Sequence, residues 1–220
     1  MDVRFVSTRY ISIADARYEE KKWKKMSQII LREITKCTVE QKKAVREVRN
    51  QKSVRKSMYT EHEIPLKEHL AWVERLKHDK RQIVFVVLVN DLVSGVVSVN
   101  AIDRLHLKSD WAFYLDASAR GGLGAALEFS IIEFVFNDLG LEKLNCEVIE
   151  TNEVVVKLHK KFGFAEEGFR RENIIKNEER MGVFFLGLTK NDWIKNRDAV
   201  GSRYEKVIEK FHLEIEYDAS

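Results

Sequence analysis

An α/β fold is the expectation from this sequence, and three features carry it. Trp111-Ala-Phe-Tyr-Leu115, the glycine-rich stretch Ala119-Arg-Gly-Gly-Leu-Gly-Ala125 and a periodic run to Leu139 read as strand, loop and helix. In that run Leu123, Leu127, Ser130, Ile131, Phe134, Val135 and Leu139 recur at three- and four-residue spacing, which sets one apolar stripe against a sheet. Leu144, Cys146 and Val148 then alternate with Asn145, Glu147 and Ile149, the period of a strand whose second face admits a polar side chain.

The remaining elements follow in order. Residues 1–26 form an N-terminal extension with a short strand candidate at 3–6 and no legible role for Tyr18 or Trp23. Residues 28–34 suit a first strand. Thr38 stands three residues ahead of Gln41, the spacing of a capping box, so a helix is expected from there to about Asn50. Pro65 sits at the opening turn of a helix bearing His69, Trp72, Val73 and Leu76, where its missing N–H does no harm. Strands at 83–89 and 93–102 are joined by Asn90-Asp91, a hairpin signal, and 109–115 completes the meander. Gly140 stops the long helix. A further helix opens near Asn152, carries Val155, Leu158 and His159, and breaks at Phe162-Gly-Phe164. Strands at 168–175 and 183–188 flank Lys176-Asn-Glu-Glu179 and predict a C-terminal hairpin. The tail at 196–220 contains Val207, Ile208, Phe211 and Leu213 and is expected to be helical, packing on the domain or on a second subunit. A homodimer is therefore one candidate state, and the chain divides into an extension (1–26), one domain (27–195) and the tail.

Composition narrows the classes. With 45% apolar residues in 220, the chain can build one substantial core. No apolar run approaches the roughly 20 residues needed to cross a bilayer, and the N-terminus lacks a signal-type stretch, so a cytoplasmic protein without a membrane partner is expected. Cys37 and Cys146 offer neither a disulfide framework nor metal-ligand spacing, and the six histidines form no ligand pair, so no metal is expected. The net charge of +3 hides a basic segment: from Lys21 to Lys56 there are 13 Lys or Arg against three Glu. Such a segment can steer a polyanion or contact nucleic acid, although a charge run is more often a solvated helical face, and nucleic acid ranks behind a small molecule here.

The glycine loop is where chemistry enters. Glycines let the backbone turn tightly and approach a ligand, so the first amides of the following helix can point at a phosphate. Residues 119–124, the helix from Asn152 and the Gly-Phe that ends it resemble the GNAT superfamily of acetyl-CoA-dependent N-acetyltransferases, over roughly residues 28–193. The resemblance implies a mixed sheet with two splayed central strands, acetyl-CoA lying between them as cosubstrate, and its pyrophosphate on the backbone of Gly122, Leu123, Gly124 and Ala125. Asn152 would reach the pantetheine amides, or serve as the N-cap of its helix, two compatible roles. The family's usual Gln or Arg three residues before the first spaced glycine is Ala119 here, with Arg120 displaced by one, a departure expected to perturb the site without abolishing it.

Residues 45–50, 54–59, 64–72, 126–129, 146–150 and 167–171 look further like the PseH subfamily, UDP-4-amino-4,6-dideoxy-N-acetyl-β-L-altrosamine N-acetyltransferases of pseudaminic acid biosynthesis. That likeness implies acetylation of the C4 amine of a nucleotide sugar by direct transfer. Glu147 is then the expected base, half-buried with its pKa raised, weighed against a structural salt bridge. His159 takes the position where the family commonly has a tyrosine acid, and an imidazolium can also protonate a thiolate; the competing readings are a satisfied surface or packing histidine and a thiolate that leaves without an enzymic acid. Met58, Tyr59, His69, Trp72 and Trp111 would wall the sugar-nucleotide pocket, with Arg49 at the diphosphate; for Met58 and Trp72, helix packing is the competing reading. Two alternatives stand beside this one: a RimJ- or RimL-like acetyltransferase of protein amino termini, and an inactive GNAT-like domain that binds nucleic acid or a partner through residues 21–56.

Overall fold

The structure, a computed structural model, describes residues 26–119 and 121–218. The expected strand at 3–6 and Arg120 of the glycine loop lie outside them.

Strand β1 (Ser27–Glu33) ends in a single 3-10 turn at Ile34–Lys36. Helix α1 (Val39–Asn50) begins with the expected capping box: Gln41 N donates to Thr38 Oγ1 at 3.2 Å and Thr38 N to Gln41 Oε1 at 3.0 Å. A reciprocal cap of this kind is worth about 1 kcal/mol. One turn of helix, α2 (Lys52–Arg55), and the helix α3 (Leu66–Leu76), opened by Pro65, complete this side. The meander β2 (Ile83–Val89), β3 (Leu92–Asp103) and β4 (Lys108–Leu115) follows. Asn90 and Asp91 turn its first hairpin with φ of 49° and 66°, the paired left-handed conformation that matches strand twist.

Helix α4 (Leu123–Glu133) continues through one π turn, Phe134–Asp138, closed by Leu139 N donating to Phe134 O. Next come β5 (Lys143–Ile149), α5 (Glu153–Lys161), and the hairpin strands β6 (Ala165–Lys176) and β7 (Glu179–Thr189). The expected hairpin is present, turning at Asn177 and Glu178, and the chain continues beyond it. Helix α6 (Lys190–Ile208) starts before the expected tail, capped by Thr189, whose Oγ1 accepts from Asp192 N at 3.1 Å. After it the chain returns to extended backbone as β8 (Phe211–Glu216), so the tail is not simply helical. Phe211, Leu213 and Ile215 alternate with polar residues, a period of two, and all three pack on the core of the same chain.

The sheet order is β6-β7-β5-β4-β3-β2-β1-β8, antiparallel except for the parallel pairs β4–β5 and β1–β8. Strand β2 is buried on both faces and divides the core. Phe85 and Val87 face a large cluster with α4, α5 and α6; Val84, Val86 and Leu88 face a smaller one with Val45 of α1 and Val73 of α3. Helix α6 seals the large cluster through fully buried Trp193, whose Nε1 donates to Glu133 at 2.6 Å, and through Tyr204 stacked on Phe162 at 4.8 Å.

Candidate active site

Strands β4 and β5 pair over three rungs only, Lys108 with Lys143, Ser109 with Leu144 and Asp110 with Asn145, and then part. A side-chain bond marks the last rung, Asn145 Nδ2 to Asp110 Oδ1 at 3.1 Å. Beyond it, Trp111–Phe113 and Cys146–Ile149 form the walls of a cavity of about 320 Å³. Met58 and Tyr59 line it from the loop after α2, and Asn152, Val155 and His159 from α5. Met58, Tyr59, Trp111, Glu147, Asn152 and His159, six of the residues expected at the site, thus meet in one place.

On the loop side, Tyr59 donates its phenolic hydrogen to Glu147 Oε2. Burial first, and then this bond, hold the Tyr59 hydroxyl protonated well above its ordinary range. Glu147 itself is exposed on the cavity wall, not half-buried. The reason is its place in β5: Cys146 and Val148 point into the core, so the residue between them points out. The Tyr59 loop is held from below by Lys176, the last residue of β6. Its buried Nζ donates to the carbonyls of Arg55 (2.8 Å), Lys56 (2.7 Å) and Met58 (2.6 Å), with Glu61 Oε1 3.7 Å away. Arg55 adds a bond from Nη1 to Glu61 O at 2.8 Å. A buried ammonium that satisfies three carbonyls at a helix end is a clamp on that loop.

A second cavity, of about 760 Å³, adjoins this loop. Lys52, Arg55, Lys56 and Lys176 line it together with Glu61, Thr151, Asn177 and Met181. The two cavities follow each other along the same segments: Lys52, Ser53, Arg55 and Lys56 line one and 57–59 the other, Thr151 lines one and Asn152 the other.

The glycine loop lies at the N-terminus of α4. Gly121 and Gly122 have φ of 79° and 92°, a region that side chains rarely adopt. A Cβ on Gly122 would stand 2.4 Å from Val207 Cγ1 of α6, so the C-terminal helix packs directly on the loop. A Cβ on Gly121 would meet nothing within 4 Å, which leaves its side open to a ligand. As the first residues of the helix, Gly122, Leu123 and Gly124 have amides with no intrahelical carbonyl to bind, whereas Ala125 N already donates to Gly122 O at 3.0 Å. Asn152 is the N-cap of α5 by position, yet its side chain makes no cap bond. Its amide thus remains for the cavity.

His159 is 3% exposed and ringed by Trp111, Phe113 and Phe164 at centroid distances of 5.2, 6.3 and 5.3 Å. Its Nδ1 is 2.8 Å from Oε1 of Glu128, a wholly buried carboxylate on α4. Glu128 is a site residue that the sequence reading does not single out. The signal was there, since it is the only charged residue between Gly121 and Ile132, set in the middle of an apolar helix.

Three expected substrate residues lie elsewhere. His69 and Trp72 of α3 pack with each other, ring centroids 5.4 Å apart, against the smaller core, so neither walls the cavity. Burial pushes the His69 imidazole below its ordinary range. Their spacing is that of a packing stripe, and the sheet face took it. Arg49 is half-buried near Tyr114, donates to Thr60 Oγ1 at 2.9 Å, and does not line either cavity. Among the described residues no group of three His, Cys, Asp or Glu side chains is placed to hold a metal ion.

The family model for the acetyltransferase (GNAT) domain matches residues 34–182, more than half of the chain. The chain belongs to the GNAT acetyltransferases. One curated relative, the SPbeta prophage-derived uncharacterized N-acetyltransferase YokL of Bacillus subtilis, is 26% identical over 127 residues, 57% of this chain and 71% of that protein. Among solved structures, spermidine N-acetyltransferase from Vibrio cholerae in complex with CoA and spermine superposes with a TM-score of 0.70 at 20% identity, covering 76% of this chain and 98% of that one. A dodecameric form of the Vibrio cholerae enzyme gives a TM-score of 0.64 at 21% identity over 77% of this chain and 98% of its own. These likenesses establish the GNAT fold; the protein is an N-acetyltransferase that uses acetyl-CoA.

Proposed function

We propose that this GNAT enzyme acetylates an amine carried by an anionic substrate, and that the substrate is a UDP-4-amino-4,6-dideoxy sugar acetylated at C4. The observation that carries this reading is the cavity edged by Lys52 and Lys56, which adjoins the Tyr59–Glu147 cavity; Lys176 and Arg55 shape its floor while bonded to the Tyr59 loop. A diphosphate in the former would set an attached amino sugar beside the carboxylate in the latter. Met58 and Trp111 offer the apolar walls that a deoxy-sugar methyl requires.

The residues divide the work as follows. The cosubstrate supplies the acetyl group as a thioester. Amides of Gly122, Leu123 and Gly124 at the α4 N-terminus would hold its pyrophosphate, and Asn152 its pantetheine amides. Glu147, fixed by Tyr59, accepts the proton of the incoming ammonium, directly or through one water. His159 gives a proton to the departing sulfur.

A second reading has its own support. Asp110 and Glu147 both line the central cavity, and paired carboxylates suit a cationic amine such as a polyamine. A thiol-release assay with acetyl-CoA and, in turn, the UDP-4-amino sugar, spermidine, an amino-terminal peptide or no acceptor decides between them. Turnover of the sugar supports the proposal; turnover of spermidine or peptide with the sugar silent rejects it.

A further inference from the structure

Beside His159, the proposed acid, Glu128 has no role in holding either substrate. Glu128 is 0% exposed, its Oε1 is 2.8 Å from His159 Nδ1, and its Oε2 has no hydrogen-bond partner among the described residues. An ionised carboxylate buried this deeply costs several kcal/mol unless it is paired. A leucine at this position would continue the apolar stripe of α4. Packing alone therefore gives no reason for the carboxylate.

We infer that Glu128 is a positioning residue that keeps His159 loaded as the proton donor of the transferase, the two forming one buried, net-neutral acid. This deepens the reading that His159 serves as the acid and rests on it.

The proton count leads to that role. The net-neutral pair exists in two forms, carboxylate with imidazolium and carboxylic acid with imidazole. In both, the proton between Glu128 Oε1 and Nδ1 is shared, and Nε2 carries a hydrogen. With Nδ1 engaged, Nε2 is the ring nitrogen left for a ligand in the cavity that His159 lines. As the C–S bond breaks, the Nε2 proton passes to sulfur and gives the free thiol. The pair keeps one proton, on Nδ1, facing a carboxylate. The ammonium proton taken by Glu147 and the proton lost by the pair exchange with solvent to reset the site.

A histidine without Glu128 could not do this. Its neutral ring would become imidazolate on giving up Nε2–H, and its cation would be a buried unpaired charge. The titratable groups facing the pair from neighbouring elements are Cys146 of β5 and Tyr204 of α6. Burial raises both, so each stays neutral through the working range and leaves the pair's charge to the pair itself. Burial also pushes the Glu128 carboxyl up, with His159 opposing it.

Glu128→Gln, which removes the charge at nearly constant volume, tests the inference together with Glu128→Asp and His159→Phe. In the acetyl-CoA-free protein, 15N NMR of the His159 ring follows the loss of the pair's second proton. That step is expected to move down by more than about one pH unit in E128Q and by less in E128D. In turnover, E128Q should lose roughly 100-fold in kcat near pH 8, with KM for acetyl-CoA within about threefold, and its fall in rate with rising pH should begin earlier. Added to H159F, the same change should cost little further. An unmoved ring titration in E128Q, or an equal loss in the H159F background, overturns the inference. Full activity in H159F would instead remove the acid role itself, whereas a slow H159F with a fast E128Q removes only the part given to Glu128.

Discussion

Tyr59 and Glu147, 88 residues apart in the chain, meet in one hydrogen bond at the mouth of the parted strands. The phenol donates and the carboxylate accepts, so the loop after α2 fixes the orientation of the only charged group on β5 between Lys143 and Ile149. If Glu147 is the base, Glu147→Gln should lower kcat roughly 100-fold or more, and Tyr59→Phe roughly 10-fold, with acetyl-CoA binding by calorimetry unchanged in both. Equal rates for E147Q and the native enzyme would remove the base assignment.

The Gly122 contact with Val207 makes the loop sensitive to any side chain. Gly122→Ala adds a Cβ at φ 92° and 2.4 Å from Val207 Cγ1. Strain plus overlap should destabilise by about 1–3 kcal/mol and raise KM for acetyl-CoA. Val207→Ala removes the overlapping methyl, so the double variant should recover part of the stability in urea unfolding. No recovery would mean that backbone strain alone is at work.

Lys176 links the hairpin to the Tyr59 loop, and its removal separates loop order from chemistry. Lys176→Met leaves the carbonyls of Arg55, Lys56 and Met58 without their donor. Each lost bond to a charged group is worth about 1.5–3 kcal/mol, less whatever solvent restores. Hydrogen exchange across 56–61 should quicken and KM for the amine should rise, while acetyl-CoA affinity stays level. Protection unchanged at 56–61 would show that the loop holds itself.

Most elements of this fold are legible in the sequence because each carries a local signal: the Thr38–Gln41 box, the Asn90-Asp91 turn, the glycines before α4. What escaped depends on long-range partners. Strand β8 is six residues, too short to be distinguished from the helix before it without knowing that β1 offers an open edge. His69 and Trp72 have the residue types of a ligand wall, but only the tertiary arrangement turns α3 toward the smaller core. Lys176 reads as a turn lysine, and its burial arises from a loop 120 residues earlier. At the site, the cavity-facing side of β5 followed from its alternation, whereas the Glu128–His159 pair needed α4 and α5 brought side by side.

Acid should loosen β8 before the rest of the sheet. Arg32 forks onto Glu216, Nε to Oε2 at 2.5 Å and Nη2 to Oε1 at 2.9 Å, and this bond first of all holds the Glu216 carboxyl below its ordinary 4.5. A lowered folded pKa contributes stability that is complete above the unfolded value and is lost as pH falls through the folded one. The carboxylate is partly exposed, so the contribution is screened and modest. Amide exchange in 211–216 should therefore rise below about pH 4.5 and not between pH 5 and 8, and Glu216→Gln should abolish that pH dependence.

The most direct test measures thiol release from acetyl-CoA with the UDP-4-amino-4,6-dideoxy sugar and with spermidine, in the native enzyme and in a Lys52→Glu, Lys56→Glu variant. The predicted result is a larger kcat/KM for the sugar, a loss of roughly 10-fold or more in that value on charge reversal, and no comparable loss with spermidine. Faster turnover of spermidine with the sugar inert, or indifference of sugar turnover to the reversed charges, would contradict an anionic substrate seated across the two cavities.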